Sequence, residues 1–181
     1  ILGPWGHLYP QMGIPGPAIG FMQECKRWWD HWLKGIDTGV EKDPDMRIFL
    51  QDSEKPMPHF DERKGRWLGI PHWPSKSIRS QVQYFDGKNL SLKTSKKLKK
   101  HLRTISSPQT TGLAAGEWCA YGLGKVAPEL PLDQREDDSG SMLFDGIPIK
   151  KPIAIVGESH VRLRIASDQP QAFVAVRLNN I

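Results

Sequence analysis

The residue best placed for chemistry is His7, set in the run Gly3-Pro4-Trp5-Gly6-His7. An imidazole titrates near pH 6.5, so it both takes and returns a proton under ordinary conditions. A loop of glycine and proline can aim such a ring into a cleft, which suits general acid–base work. On its own the pattern is weak, because most histidines are polar surface groups or satisfied core groups. The other histidines, His31, His59, His72, His101 and His160, are scattered, with no i,i+4 pair and no carboxylate spacing of a metal site. Cys25 and Cys119 form no Cys-x-x-Cys pair and read as small buried hydrophobes, so neither a zinc site nor a disulfide scaffold is expected. Asp137-Asp138 lacks the ligand alternation of a calcium loop and reads as a solvated acidic turn. Ser139-Gly140-Ser141 resembles a nucleophile elbow only superficially, since no strand precedes it and no helix pattern follows it. No metal and no cofactor is expected.

The elements that must position His7 come next. Residues 1–17 are rich in Gly and Pro and read as an irregular loop. Residues 18–34 carry the best helix signal. Phe21, Met22, Cys25, Trp28, Trp29, Trp32 and Leu33 recur at helical spacing, Glu24, Lys26, Arg27 and Asp30 fall off that stripe, and Gly35 supplies a stop. A stripe holding Trp28, Trp29 and Trp32 is expected to be core, packed on something substantial. From about residue 45 the pattern turns to β. Strand candidates are 46–51, 66–70, 81–85 with Asp86-Gly87 as a turn, 152–157, 161–165 and 172–178. Residues 104–146 show no period and are expected to be long loops. The fold class expected is mainly β, a sandwich or jelly roll of short strands.

Composition bounds the function. The chain has 181 residues, 38% hydrophobic and 25% charged, which is globular and excludes intrinsic disorder. No run approaches the roughly 18 apolar residues of a membrane helix. The net charge of +5 includes a basic block, Lys93, Lys96, Lys97, Lys99, Lys100 and Arg103. That block lacks the interleaved aromatics on which single strands stack, so no nucleic-acid partner and no membrane partner is expected. Glu129, Asp133, Glu136, Asp137, Asp138 and Asp145 form an acidic stretch expected to be solvated. The chain opens without Met and stops just after a strand-like run, Ala172 to Leu178, so it is expected to be part of something longer. With no export signal visible, a cytoplasmic location is the expectation.

Several of these runs occur together in one family. Gly3-Pro4-Trp5-Gly6-His7, Gly16-Pro17-Ala18-Ile19-Gly20-Phe21, Trp28-Trp29-Asp30-His31-Trp32-Leu33-Lys34-Gly35, Trp118-Cys119, Asp133-Gln134-Arg135 with Asp137-Asp138, and Val161-Arg162-Leu163 through Leu178 resemble the CocE/NonD-type hydrolases. These are relatives of X-Pro dipeptidyl-peptidase and of bacterial cocaine esterase. The resemblance implies an α/β-hydrolase domain with a Ser-Asp-His triad, followed by a jelly-roll domain. On that reading residues 1–40 are the last loop and final helix of the hydrolase domain. Residues 41–181 are the beginning of a partial jelly-roll β-sandwich. His7 is then the triad histidine, and its Ser and Asp would come earlier in the chain order. The implied substrates are small esters or X-Pro peptides, and the 181 residues alone are expected to be inactive, because a His without nucleophile and oxyanion hole forms no acyl-enzyme. The alternative is a stand-alone β-sandwich binding module, for carbohydrate or another ligand, with Trp67 or Trp73 as its platform. The oligomeric state is left open.

Overall fold

The computed structural model describes residues 1–92 and 102–181. Of the basic block, Arg103 is described and the five lysines lie outside the described residues. The architecture is mainly β. Helix α1 (Phe21–Lys34) precedes an antiparallel pair, β1 (Met46–Gln51) with β2 (Gly65–Ile70), and a hairpin, β3 (Tyr84–Asp86) with β4 (Asn89–Ser91). Short 3-10 turns at Pro10–Met12, Val40–Lys42, Leu113–Ala115 and Gly124–Val126, and the single turn α2 (Arg135–Asp138), punctuate long loops.

Helix α1 forms where the spacing predicts it. It ends as Gly35 adopts φ 70°, in the left-handed region that glycine enters at least cost, and donates its N–H to the His31 carbonyl. The helix is tied to β1 by charge. Glu24 accepts from Arg47 at 2.7 and 3.1 Å and from Arg27 at 2.9 Å, while Arg27 also pairs with Asp43. Arg47 first, then Arg27, pull the Glu24 carboxyl down to about 2, against the opposing effect of burial. The one buried residue of the helix is Asp30, held between Lys26 and Lys34 one turn before and after it. The tryptophan stripe differs from expectation. Trp28, Trp29 and Trp32 stay about half exposed, with Trp28 and Trp32 leaning on each other at 5.8 Å. The spacing correctly marks an apolar face, but the described residues supply no surface broad enough to cover it.

In β1–β2 the register sets Phe49 opposite Trp67 and Met46 opposite Ile70. Phe49 and Ile70 are buried, and the rings of Phe49 and Trp67 meet edge to face at 5.4 Å. Trp5 comes onto Trp67 from the N-terminal loop at 6.1 Å, so loop and sheet share one aromatic cluster. Phe60 is buried beneath the Arg63 guanidinium, 4.1 Å from the ring. Both cysteines are half-buried and free.

The candidates at 152–157, 161–165 and 172–178 form no ladder among the described residues. Their side chains stand out: Ile155 is 63% exposed, Ile165 67% and Phe173 104%. Alternation equips a segment to be a strand, but a ladder also needs a neighbour offering matched N–H and C=O groups and a face to bury against. The described residues offer these segments neither.

Candidate active site

The loop carrying His7 is irregular but closely anchored by its backbone. Leu2 bonds to β1 on both sides, its N–H to Arg47 O and its carbonyl to Phe49 N, each at 2.8 Å. Gly6 N–H donates to Ile14 O at 2.9 Å, closing the loop on itself. His7 N–H donates to Ala120 O at 2.7 Å, more than a hundred residues onward in sequence. Gly16 then bridges residues 61–63, donating to Asp61 O at 2.7 Å and accepting from Arg63 N at 2.9 Å. Across the loop the Trp5 indole N–H reaches Pro17 O at 2.8 Å. The glycines of this run are required by close approach. A Cβ on Gly6 would lie 2.7 Å from Gly122 N and 2.8 Å from Ala120 O, so a side chain there would push the two segments apart.

The His7 ring is exposed and meets the edge of Tyr121 at 5.2 Å, nearly perpendicular. Among the described residues no carboxylate or hydroxyl is hydrogen-bonded to that ring. A triad orders its imidazole by a carboxylate on one nitrogen and a hydroxyl on the other. Here the ring is presented and both nitrogens are left for partners.

Beneath Tyr121 sits a carboxylate that the sequence pattern does not single out. Glu129, expected as part of a solvated acidic stretch, is buried. It accepts three backbone N–H bonds, from Tyr121 at 2.7 Å, Gly122 at 2.9 Å and Leu123 at 2.8 Å. The bonds from Leu123 and Tyr121, with a smaller one from Gly122, hold its carboxyl below the usual range even though burial works the other way. Gly122 takes φ 87°, and a Cβ there would lie 2.5 Å from Ile14 O. The available signal was local: a single acid among Ala127, Pro128, Leu130 and Pro131, just after a glycine-rich run, is poorly suited to a solvated face.

Asp137 makes a second clamp. It is buried, not solvated as expected, and accepts from Gly112 N at 2.8 Å and Ala114 N at 3.2 Å. Gln134 adds a bond to Ala114 O at 2.6 Å, and with Asp138 it receives the Arg177 guanidinium. The Asp133-Gln134-Arg135 and Asp137-Asp138 runs therefore act as a loop fastener. Ser139 and Ser141 donate to the carbonyls of Glu136 and Asp137 and face no histidine, as the lack of an elbow pattern predicts. Among the described residues no group of His, Cys, Asp and Glu is arranged to hold a metal ion, and no helix is long and apolar enough to cross a membrane. Trp67 is committed to the cluster with Trp5 and Phe49, which leaves it a poor ligand platform. A cavity of about 10 Å³ beside the loop, lined by Ile14, Phe60, Ala120, Gly122 and Glu129, is too small for a ligand and does not include His7.

With this geometry in place, comparison with known proteins decides the family. The pattern of the X-Pro dipeptidyl-peptidase C-terminal non-catalytic domain matches residues 38–181. The chain belongs to that family. It is of the CocE/NonD type, as the motifs indicate, and His7 lies ahead of the residues matched to the non-catalytic domain. Two curated mycobacterial proteins named "Putative serine esterase", from Mycobacterium bovis and Mycobacterium tuberculosis, are each 23% identical over 186 aligned positions. Those alignments take in 100% of this chain and 28% of each relative, so the chain spans a little over a quarter of their length. No solved structure matches the chain. Residues 38–181 are thus of the X-Pro dipeptidyl-peptidase C-terminal domain type, and the chain as a whole aligns with part of two proteins that carry a serine esterase name.

Proposed function

We propose that the chain is the C-terminal part of a serine hydrolase acting on small esters or X-Pro peptides, with His7 as the general base of its Ser-Asp-His triad. Residues 1–40 then close the hydrolase domain, and residues 41–181 belong to a jelly-roll domain. The observation carrying this reading is the presentation of His7. Its backbone is fixed to Ala120 and its ring is braced on Tyr121, yet both ring nitrogens are free of protein partners among the described residues. A surface histidine needs no such fastening, whereas a base must be held within hydrogen-bond reach of its nucleophile.

The chemistry follows from triad logic. His7 removes the serine proton as the hydroxyl attacks the acyl carbon, then returns it to the departing alcohol or amine. A carboxylate on its other nitrogen fixes the tautomer and stabilises the imidazolium. Water repeats the cycle to release the acid. The 181 residues contribute the base and its support. Serine, aspartate and oxyanion hole are supplied by the remainder of the complete enzyme, so the chain alone does not turn over substrate.

The test is His7→Ala in the complete protein, assayed on p-nitrophenyl esters and X-Pro anilides. The expected outcome is a fall in kcat of at least about a thousandfold with the melting temperature held. Wild-type turnover in that variant refutes the role.

A further inference from the structure

We propose that Glu129 is a positioning residue for His7, acting through the backbone of residues 120–123. The inference rests on the reading of His7 as the catalytic base and adds to it the device that aims the ring. Glu129 touches neither substrate nor the reacting atoms. Its two carboxylate oxygens divide three donors between them: Oε1 takes Tyr121 N–H at 2.7 Å, and Oε2 takes both Gly122 N–H at 2.9 Å and Leu123 N–H at 2.8 Å. Consecutive N–H groups converging on one acceptor fix the curvature of the segment that bears them. That segment carries both contacts to His7. The Ala120 carbonyl, just before the clamped residues, accepts the His7 N–H at 2.7 Å, and the Tyr121 ring stands at 5.2 Å against the imidazole at an interplanar angle of 74°. The close approach of Gly6 to Gly122 locks the same two segments from the backbone side.

The donor count explains why a carboxylate is used. Every protein atom facing the Glu129 head from this loop is an N–H, so only an acceptor-only group satisfies all three. An amide of the same shape has one oxygen. With that oxygen on Gly122 and Leu123, its NH2 faces the Tyr121 N–H, donor against donor. The conflict then falls on the residue that braces His7. Glu129 is itself buried, so the amide has little room to turn its NH2 away to water. The same carboxylate is needed by the loop whatever the substrate, so the effect belongs to kcat and not to substrate binding.

The experiment is steady-state kinetics of the complete protein on a p-nitrophenyl ester, comparing wild type, Glu129→Gln, Glu129→Asp and His7→Ala, with a melting curve for each. The expected result for Glu129→Gln is a kcat lowered about tenfold with KM within about twofold, as for a displaced catalytic group. Glu129→Asp, which keeps an acceptor-only head, recovers most of that loss. Should Glu129→Gln fail to fold, Tyr121→Ala is read in its place, since it removes the ring brace and keeps the clamped N–H; the same kcat-selective loss is expected. Wild-type kcat in the folded Glu129→Gln variant, or in Tyr121→Ala when that is the variant read, overturns the inference. So does a loss that falls on KM alone, or one that Glu129→Asp does not relieve. If His7→Ala is inactive while Glu129→Gln is unimpaired, the triad reading stands and this inference falls. If His7→Ala turns over normally, both fall.

Discussion

Residues 1–17 and residues 147–181 contrast sharply. Both are irregular by secondary structure, and on sequence pattern the C-terminal run is far better suited to order, with its β-branched, alternating segments. The structure reverses that ranking. The N-terminal region is fastened by main-chain bonds at Leu2, Gly6, His7 and Gly16, reaching β1, residue 120 and residues 61–63. Among the described residues the C-terminal run makes no such main-chain bond, and its ties are side-chain ones, Arg177 to Gln134 and Asp138, and Asn180 to Ser53. Order therefore follows from whether main-chain groups find partners, and glycine allows that where it lets two backbones touch. A loop can be better placed than a segment with ideal strand chemistry.

The sharpest way to break this contrast is to force the two backbones of the His7 region apart. Gly122→Val puts a β-branched side chain at φ 87°, where its Cβ would lie 2.5 Å from Ile14 O. The expected cost is about 2–4 kcal/mol of stability in denaturant unfolding, from strain at positive φ together with the clash. A neutral result would mean that residues 120–123 do not hold the loop.

A smaller effect is expected at the charged tie between α1 and β1. The folded carboxyl of Glu24 lies at about 2, below its ordinary 4.5, so its contribution is complete above roughly pH 4.5 and is lost as pH falls towards 2. After allowance for screening at a partly exposed site, that contribution is about 1–2 kcal/mol. Glu24→Gln should therefore lower the melting temperature at pH 7 and flatten its fall between pH 4.5 and 2. Parallel curves for variant and wild type would assign the acid sensitivity to other groups.

The smallest effect belongs to residues 147–181. Phe173, fully exposed, packs on nothing described, so Phe173→Ser should change stability by less than about 0.5 kcal/mol in a thermal melt. A loss of several kcal/mol there would show that this side chain is buried in solution and would erase the contrast.

What the sequence made legible follows the same division. Helix α1 with its Gly35 stop, strands β1 and β2, and the hairpin around Gly87 were readable because each is decided by local spacing and turn chemistry. The family itself was readable through motif resemblance and is shown over residues 38–181, a stretch that begins after the His7 loop. Glu129 and Asp137 were not readable as clamps, because their partners are backbone N–H groups, which no side-chain pattern encodes. Burial of the tryptophan stripe and pairing of the runs after residue 150 were expected from helical spacing and from β-branched alternation. Both depend on a further surface that local sequence does not specify.

The most direct test of the central claim, that the domain itself holds the His7 loop in place, is amide hydrogen exchange of the 181-residue chain followed by peptide mass spectrometry. Slow exchange is expected in peptides spanning Gly6–Leu8 and Tyr121–Leu123, and exchange at the unstructured rate across residues 153–165. Equal, rapid exchange in all three would contradict that claim, leaving His7 on a loop that the domain does not position.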